Sequence, residues 1–460
     1  MSAIKGEQGQ ILVVLAVGLL ILILFMGLAV DVGMAYITKA NLSKAVDAAC
    51  LTGMKALPQG QPTATTLATH IFNANYGPNP PVPTVTFPVD PQNGDQQIKV
   101  TATANVPTFF AQHFFQFWHV SDTAIATRGK LVMSLVLDRS GSMATTGSTQ
   151  GGPSLQVAVG KTTTDNGFIN DWDDTKDEVA MISYGSSATV DVAINYNFRA
   201  PITTKVKNLT FAGGTFGTGG TYVANIGPPL TLADNQIGSV PILPGQNVTR
   251  VAIYFTDGLM NEIQDTLSCN GTLTPYNFGG YDDGSGGGNT VHSVGFFNPA
   301  NGTQIYMYDG SSTWYTCNSS GQCTTKTTTS CLRNVAGFMS VQSGTIKPFN
   351  RANVTAEAQY RAKQTANAMR AETPGTYIYV IGLGQQIHTS MSTKAFLATL
   401  ANDPNPTDYD GTQITGGVYS PSLPAGLVKI VPDCPSTACT TELQKAFQDI
   451  ASKILLRLTQ

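Results

Sequence analysis

The run Leu131-Val-Met-Ser-Leu-Val-Leu137 ends abruptly in Asp138-Arg-Ser140-Gly-Ser142-Met143. A short stretch that is apolar on both faces, rather than alternating, reads as a strand buried inside a parallel sheet. Such strands alternate with helices that cover both faces, which restricts the chain around this stretch to an α/β architecture. The residues that follow leave the sheet at the carboxyl end of the strand, where open α/β sheets bind ligands. Asp-x-Ser-x-Ser places three oxygen-bearing side chains within five residues. Hard divalent cations are held by oxygens of this kind and keep several waters besides. A polar turn after a strand gives the same string, so further residues must decide.

Two later stretches supply them. Gly219-Gly220-Thr221 precedes a helical pattern, and Arg250-Val-Ala-Ile-Tyr-Phe-Thr256-Asp257-Gly258 is a second buried strand that ends in a carboxylate. Gly213-Gly214-Thr215 is a rival for the threonine. In this order and spacing, Asp138, Ser140, Ser142, Thr221 and Asp257 resemble the metal-ion-dependent adhesion site of von Willebrand factor A (vWA) domains. The resemblance implies a doubly wound, Rossmann-like fold. It also implies one divalent cation held by those five residues, Mg²⁺ first, with Mn²⁺ and Ca²⁺ as the other candidates. In that family the cation leaves a position open for a carboxylate of a protein partner.

Strand and helix patterns continue to the end of the chain. Asp177–Tyr184 and Ala188–Ile194 flank a Gly-Ser-Ser turn and read as a hairpin. Thr376–Leu383 is a further buried strand, and Glu442–Leu455 is an amphipathic helix with Leu443, Phe447, Ile450 and Ile454 on one face. Between about residues 261 and 345 lies an insertion rich in glycine and threonine, with hairpin strands at Thr303–Asp309 and Ser312–Thr316. It shows little apolar sequence for a core of its own. Asp282, Asp283 and Asp309 lack a regular calcium spacing and read as solvated loop, as do Asp403, Asp408 and Asp410. By connectivity the insertion begins just after Asp257, which makes it a candidate rim that selects the partner.

The N-terminus sets a different constraint. Ile11 to Val30 is an unbroken apolar run of 20 residues. At about 1.5 Å per residue it spans about 30 Å, one hydrocarbon core. A signal peptide is the rival, but its apolar region is usually about 7–15 residues long. Helical character continues to residue 57, with Leu42, Val46, Ala49 and Gly53 forming a narrow small-residue face. Gln8-Gly-Gln-Ile, Gly27-Leu-Ala-Val-Asp31-Val-Gly and Ala45-Val-Asp47-Ala-Ala-Cys-Leu resemble the start of TadE/TadG-like proteins of the Tad (Flp) pilus assembly system. Residues 58–128 read as a small α+β module, with an alternating strand from Gln97 and an aromatic-rich segment, Phe109–His119, expected to pack under that strand. The module fits the region before the vWA domain in TadG-like proteins.

The expected architecture is therefore an anchor and stalk helix (1–57), a small module (58–128) and a vWA domain (129–460) carrying the insertion. Six of the seven cysteines fall late in the chain, at Cys269, Cys317, Cys323, Cys331, Cys434 and Cys439. An even set in loop-rich sequence suggests disulfides and an oxidising compartment, with Cys269–Cys331, Cys317–Cys323 and Cys434–Cys439 as one pairing among several. A formal net charge of −3 and the lack of a basic run give no footprint for nucleic acid. None of His70, His113, His119, His292 and His388 lies near a nucleophile motif, and H-E-x-x-H, G-x-S-x-G and Walker strings are absent.

Taken with the resemblance, these features lead to a metal-dependent protein-binding module of a Tad-type pilus system, not an enzyme. It is expected in the bacterial envelope on a single membrane anchor, with its C-terminal region extracytoplasmic. Its expected partners are a protein presenting an acidic residue, pilus or envelope assembly components, and the membrane through residues 11–30. Two other readings stay open: a vWA scaffold of an unrelated envelope complex, and a serine hydrolase with Ser140 or Ser142 as nucleophile.

Overall fold

A computed structural model of the protein describes residues 7–90, 95–112, 114–143, 151–160, 167–185, 187–211, 227–258, 260, 262–269, 272–281, 293–298, 303–308, 313–319, 323–333, 335, 337–432 and 438–458. The chain packs as two compact units, one formed by residues 1–129 with 245–247 and 459–460, the other by 130–244 and 248–458.

The first unit opens with a 50-residue helix, α1 (Glu7–Ala56). It is followed by α2 (Gln61–Tyr76), β1 (Thr84–Thr86), β2 (Gln96–Pro107) and β3 (Phe117–Arg128), the three strands forming an antiparallel sheet in that order. Along the N-terminal part of α1 the large apolar side chains from Leu12 to Met26 are exposed. Its C-terminal part is the opposite: Leu42, Ala45, Val46, Ala49 and Met54 are fully buried against Ala64, Ala68 and Phe72 of α2 and Ile98 and Val100 of β2. Gly53 lets the elements approach, since a Cβ there would lie 2.5 Å from Ile98 Cδ1 and 3.0 Å from Ala68 Cβ. The expected small-residue face is thus the seam of this unit's core.

The aromatic-rich segment departs from expectation. Phe109, Phe110, Phe114, Phe115 and Phe117 are exposed rather than packed beneath β2. The core on that side is already filled by α1 and α2, and Phe109–Phe115 forms the tip of the β2–β3 hairpin, beyond the sheet.

The second unit begins with β4 (Lys130–Asp138), α3 (Gly151–Val159), β5 (Glu178–Tyr184), β6 (Ala188–Asn195), α4 (Arg199–Lys207), α5 (Gly227–Gly238) and β7 (Val248–Thr256). Strands β8 (Glu262–Cys269), β9 (Thr272–Tyr281), β10 (Ser293–Phe297), β11 (Gln304–Tyr308), β12 (Trp314–Cys317) and β13 (Cys323–Lys326) follow, then α6 (Ser330–Arg333), β14 (Gly337–Met339) and β15 (Ile346–Pro348). The chain ends with α7 (Arg351–Ala371), β16 (Thr376–Leu383), α8 (Gln385–His388), α9 (Met391–Ala401), β17 (Val428–Val431) and α10 (Ala438–Leu458).

Its central sheet has the order β17-β16-β7-β4-β5-β6, parallel except for the β5–β6 hairpin. Every residue of β7, and every residue of β4 after Lys130, is buried. Alternate residues serve opposite cores. Val132 and Val136 join Ala252, Val380 and the helices α5, α7 and α9 on one face. Leu131, Met133, Leu135 and Leu137 join Ile253, Ile381 and the helices α3 and α10 on the other. That two-sided burial is why the strands read as continuous apolar runs.

The insertion is an antiparallel meander of β8 to β13, with β14 and β15 paired after it. The expected hairpin appears as β11–β12. The expectation that it lacks a core is corrected: Phe278, Phe296, Trp314, Phe338 and Phe349 are buried together and continue the core under α7. Aromatic rings scattered singly through polar sequence evade a periodicity reading, yet a meander brings them to one face. Cys317 and Cys323 form a disulfide across the β12–β13 hairpin, Cys331 and Cys439 each take part in a separate disulfide, and Cys50 is a buried free thiol. Asp403 and Asp408, read as solvated, are each 6% exposed. Asp403 accepts a hydrogen bond from the Val428 amide (2.9 Å), and Asp408 pairs with Lys394 (2.6 Å). Asp282, Asp283, Asp309 and Cys434 lie outside the described residues.

Candidate functional site

Sheet order places the site. From β4 the chain moves first to β5 on one side and later to β7 on the other, so the direction of winding reverses between β4 and β7. The loops that leave the carboxyl ends of those two strands diverge and open a crevice, the usual ligand position in open α/β sheets. Asp138 ends β4 and Asp257 follows β7.

Four of the five predicted residues meet there. The Ser142 hydroxyl donates to Asp257 Oδ1 at 2.9 Å, and the Ser140 hydroxyl lies 3.5 Å from the same oxygen. The two serine hydroxyls are 3.0 Å apart. Asp138 Oδ1 accepts from the Ser140 amide at 2.8 Å, which folds the loop back over the end of its own strand. The Arg139 amide still donates to the Tyr184 carbonyl (2.8 Å), so the loop starts as a continuation of the sheet ladder. Asp138 and Ser140 are buried, Asp257 is partly buried and Ser142 is exposed, so the cluster grades from core to solvent. Thr221 and its rival Thr215 lie outside the described residues.

Residues beneath the cluster escaped the sequence reading. Thr256 donates to Asp138 Oδ2 at 3.3 Å. Tyr184 donates to the Phe255 carbonyl at 2.8 Å and shares a hydrogen bond with the Tyr254 hydroxyl, the two rings stacking at 5.5 Å. Both tyrosines are fully buried on the same sheet face as Val132 and Val136, the face toward which Asp138 alternates. Their signal was present as polar-tipped aromatic residues at the end of β5 and two residues before the end of β7.

Electrostatics sharpen the picture. Burial pushes the Asp138 carboxyl above its ordinary value, although hydrogen bonds from Ser140 and Thr256 pull it down. Burial pushes Asp257 well above its ordinary value too, and the neighbouring Asp138 charge adds to that. Among the described residues no lysine, arginine or histidine forms an ion pair with either carboxylate. Two converging carboxylates without a counter-charge are unstable as a doubly ionised pair. A divalent cation supplies that charge, and two carboxylates with two hydroxyls form the hard-oxygen donor set it takes. These residues therefore fit the expected ion. No histidine among the described residues hydrogen-bonds to Ser140 or Ser142, whose hydroxyls are engaged with each other and with Asp257.

Solved structures with a similar chain path include the PilB minor pilin from Streptococcus sanguinis, at 14% identity and TM-score 0.35, covering 82% of this chain and 79% of that one. The vWF domain of the type V pili tip protein Mfa5 from Porphyromonas gingivalis is similar at 12% identity and TM-score 0.35, covering 73% of this chain and 98% of that one. Proximal thread matrix protein 1 from the mussel byssus, with a zinc-occupied MIDAS motif, is similar at 12% identity and TM-score 0.33, covering 71% of this chain and 46% of that one. No curated protein is significantly similar in sequence. Residues 9–56 match the family model described as putative Flp pilus-assembly TadE/G-like, so the resemblance read from Gly27–Gly33 and Ala45–Leu51 holds over that N-terminal segment.

Proposed function

We propose that this protein is a membrane-anchored, metal-dependent binding module of a Tad-type pilus system, which holds a partner protein through a cation at the carboxyl edge of a vWA-type sheet. The observation that carries the reading is the convergence of Asp138, Ser140, Ser142 and Asp257 at one switch point, with two carboxylates that no cationic side chain among the described residues offsets. The TadE/G-like N-terminal segment supports the pilus setting.

Asp138, Ser140, Ser142 and Asp257 would hold the ion together with Thr221, with Mg²⁺ as the first candidate. When bound, the cation supplies positive charge that a partner's carboxylate can meet. Exposed Ser142 lies on the solvent side, so approach comes from there. The chain's own part is to keep the oxygens convergent and the lower side dry, through Thr256 and the tyrosine pair. Strand β8 begins five residues after Asp257, which makes the insertion the natural rim for choosing among acidic partners.

Titration calorimetry of the full-length protein in detergent tests the metal. Asp138→Ala removes a direct ligand. Loss of mere supporting groups weakens metal sites by about 10–100-fold, so Mg²⁺ and Mn²⁺ affinity should fall at least that far while circular dichroism stays unchanged. Equal binding by wild type and variant overturns the assignment.

A further inference from the structure

The β2–β3 tip is built in a way that neither the metal site nor the core explains. Asp31, the first residue after the apolar run, is buried at 1% exposure, and its carboxylate accepts three backbone hydrogen bonds from that tip. The amides of Phe109, Phe110 and Ala111 donate to it at 2.9, 3.1 and 2.9 Å. One helical turn further toward the N-terminus, the Phe110 ring lies against Gly27: a Cβ built there would fall 2.5 Å from Phe110 Cγ. Two turns beyond Asp31 in the other direction, Lys39 pairs with Asp122 of β3 at 2.8 Å and donates to the Ser121 carbonyl at 2.6 Å. The tip is also closed on itself, with the Thr108 amide donating to Gln116 and the Phe114 and Phe115 amides to Ala111.

A tip so fixed holds five phenylalanines, Phe109, Phe110, Phe114, Phe115 and Phe117, at 39–82% exposure. Contiguous exposed apolar surface of this kind marks a contact with a partner or a membrane. Its position selects the membrane. Gly27 lies inside the apolar run, four residues or about 6 Å before Asp31 along the helix axis. Wherever Ile11–Val30 crosses a bilayer, Phe110 is inside the apolar boundary and its neighbours lie at the interface, where apolar and aromatic side chains are stable.

We propose that the Phe109–Phe117 tip inserts into the outer interface of the same bilayer that holds α1, a second membrane contact which fixes how the first unit stands on the membrane. The inference rests on the reading of residues 11–30 as a membrane anchor. Asp31 serves as the clamp, since its carboxylate gathers three amides that would otherwise face the lipid boundary unpaired.

Photolabelling separates the two. Full-length protein is reconstituted into phosphatidylcholine vesicles doped with a phosphatidylcholine bearing an acyl-chain diazirine, then irradiated, digested and mapped by mass spectrometry. The expected result is adducts on α1 within residues 11–30 and on the Phe109–Phe117 peptide, with none on the exposed face of α2 at Gln61 and Thr66. Adducts on α1 with the tip no more labelled than α2 overturn the inference and leave the anchor intact. Adducts on neither segment overturn the anchor and the inference with it. In Asp31→Ala the tip adducts should be lost while those on α1 persist; tip labelling at the wild-type level would overturn the clamp.

Discussion

At the scale of single residues, the proposed metal site would depend on the groups that position its oxygens as much as on the oxygens themselves. Thr256 spends its hydroxyl on Asp138 from the next strand. Thr256→Val keeps the β-branched shape and the strand but leaves that carboxylate oxygen without its donor. Mg²⁺ affinity should fall by about 10–100-fold with no change in fold, as calorimetry beside circular dichroism would register. A second residue tests the electrostatics away from the site. Asp171 ends a short turn that begins at the buried Phe168, and burial pushes its carboxyl from the ordinary 3.8 up to about 6, against the pull of Arg199. The folded state therefore keeps a proton that the unfolded chain gives up. Stability is lost as pH rises from 3.8 through about 6, and the penalty is fully present above that window. Asp171→Asn removes it. The variant should gain on the order of 2 kcal/mol at pH 7 and little at pH 4, measured by urea unfolding at both values.

At the scale of elements, the insertion is part of the core of the second unit. Its aromatic cluster, centred on Phe296, packs against Phe278, Trp314 and Phe349 and continues the core beneath α7, while Arg361 of α7 pairs with Asp265 of β8 at 2.8 Å. Phe296 is fully buried. Phe296→Ala should cost about 3–5 kcal/mol. Loss should appear as a lower thermal midpoint of the whole second unit rather than a separate early transition, since the core is shared. The sequence reading located one hairpin of this region, β11–β12, and missed both the other strands and what joins them. Alternation and turn signals are local, whereas an aromatic cluster assembled from five strands and loops is not. The same limit applies to Phe109–Phe115: aromatic content marked the segment, but only the hairpin geometry places it beyond the sheet.

At the scale of the whole molecule, a 50-residue helix changes character along its length. Its first part presents large apolar side chains outward on all sides, and its second part buries a narrow stripe in a protein core. The full-length protein should sediment with membranes and stay there through alkaline carbonate extraction. Recovery of a mature chain that starts after residue 30 from native membranes would refute an uncleaved anchor. The division at residue 57 read from sequence falls at a proline, yet Leu42–Met54 complete the core of α2 and β2. A fragment that begins at Pro58 leaves Phe72 and Ile98 uncovered.

The sequence by itself determined the strands that are buried on both faces, the oxygen-bearing residues at their ends and the apolar run at the N-terminus, because each is a local pattern with a physical period or a chemical identity. Asp138, Ser140, Ser142 and Asp257 were legible for that reason. Tertiary structure alone decided that β4 and β7 are neighbours, that Thr256, Tyr184 and Tyr254 stand under the site, that Asp403 and Asp408 are buried, and that five phenylalanines stay out of the core. Those outcomes depend on which surfaces compete for the same partner. Competition of that kind is settled by packing, between residues that lie up to about a hundred or more positions apart in the chain.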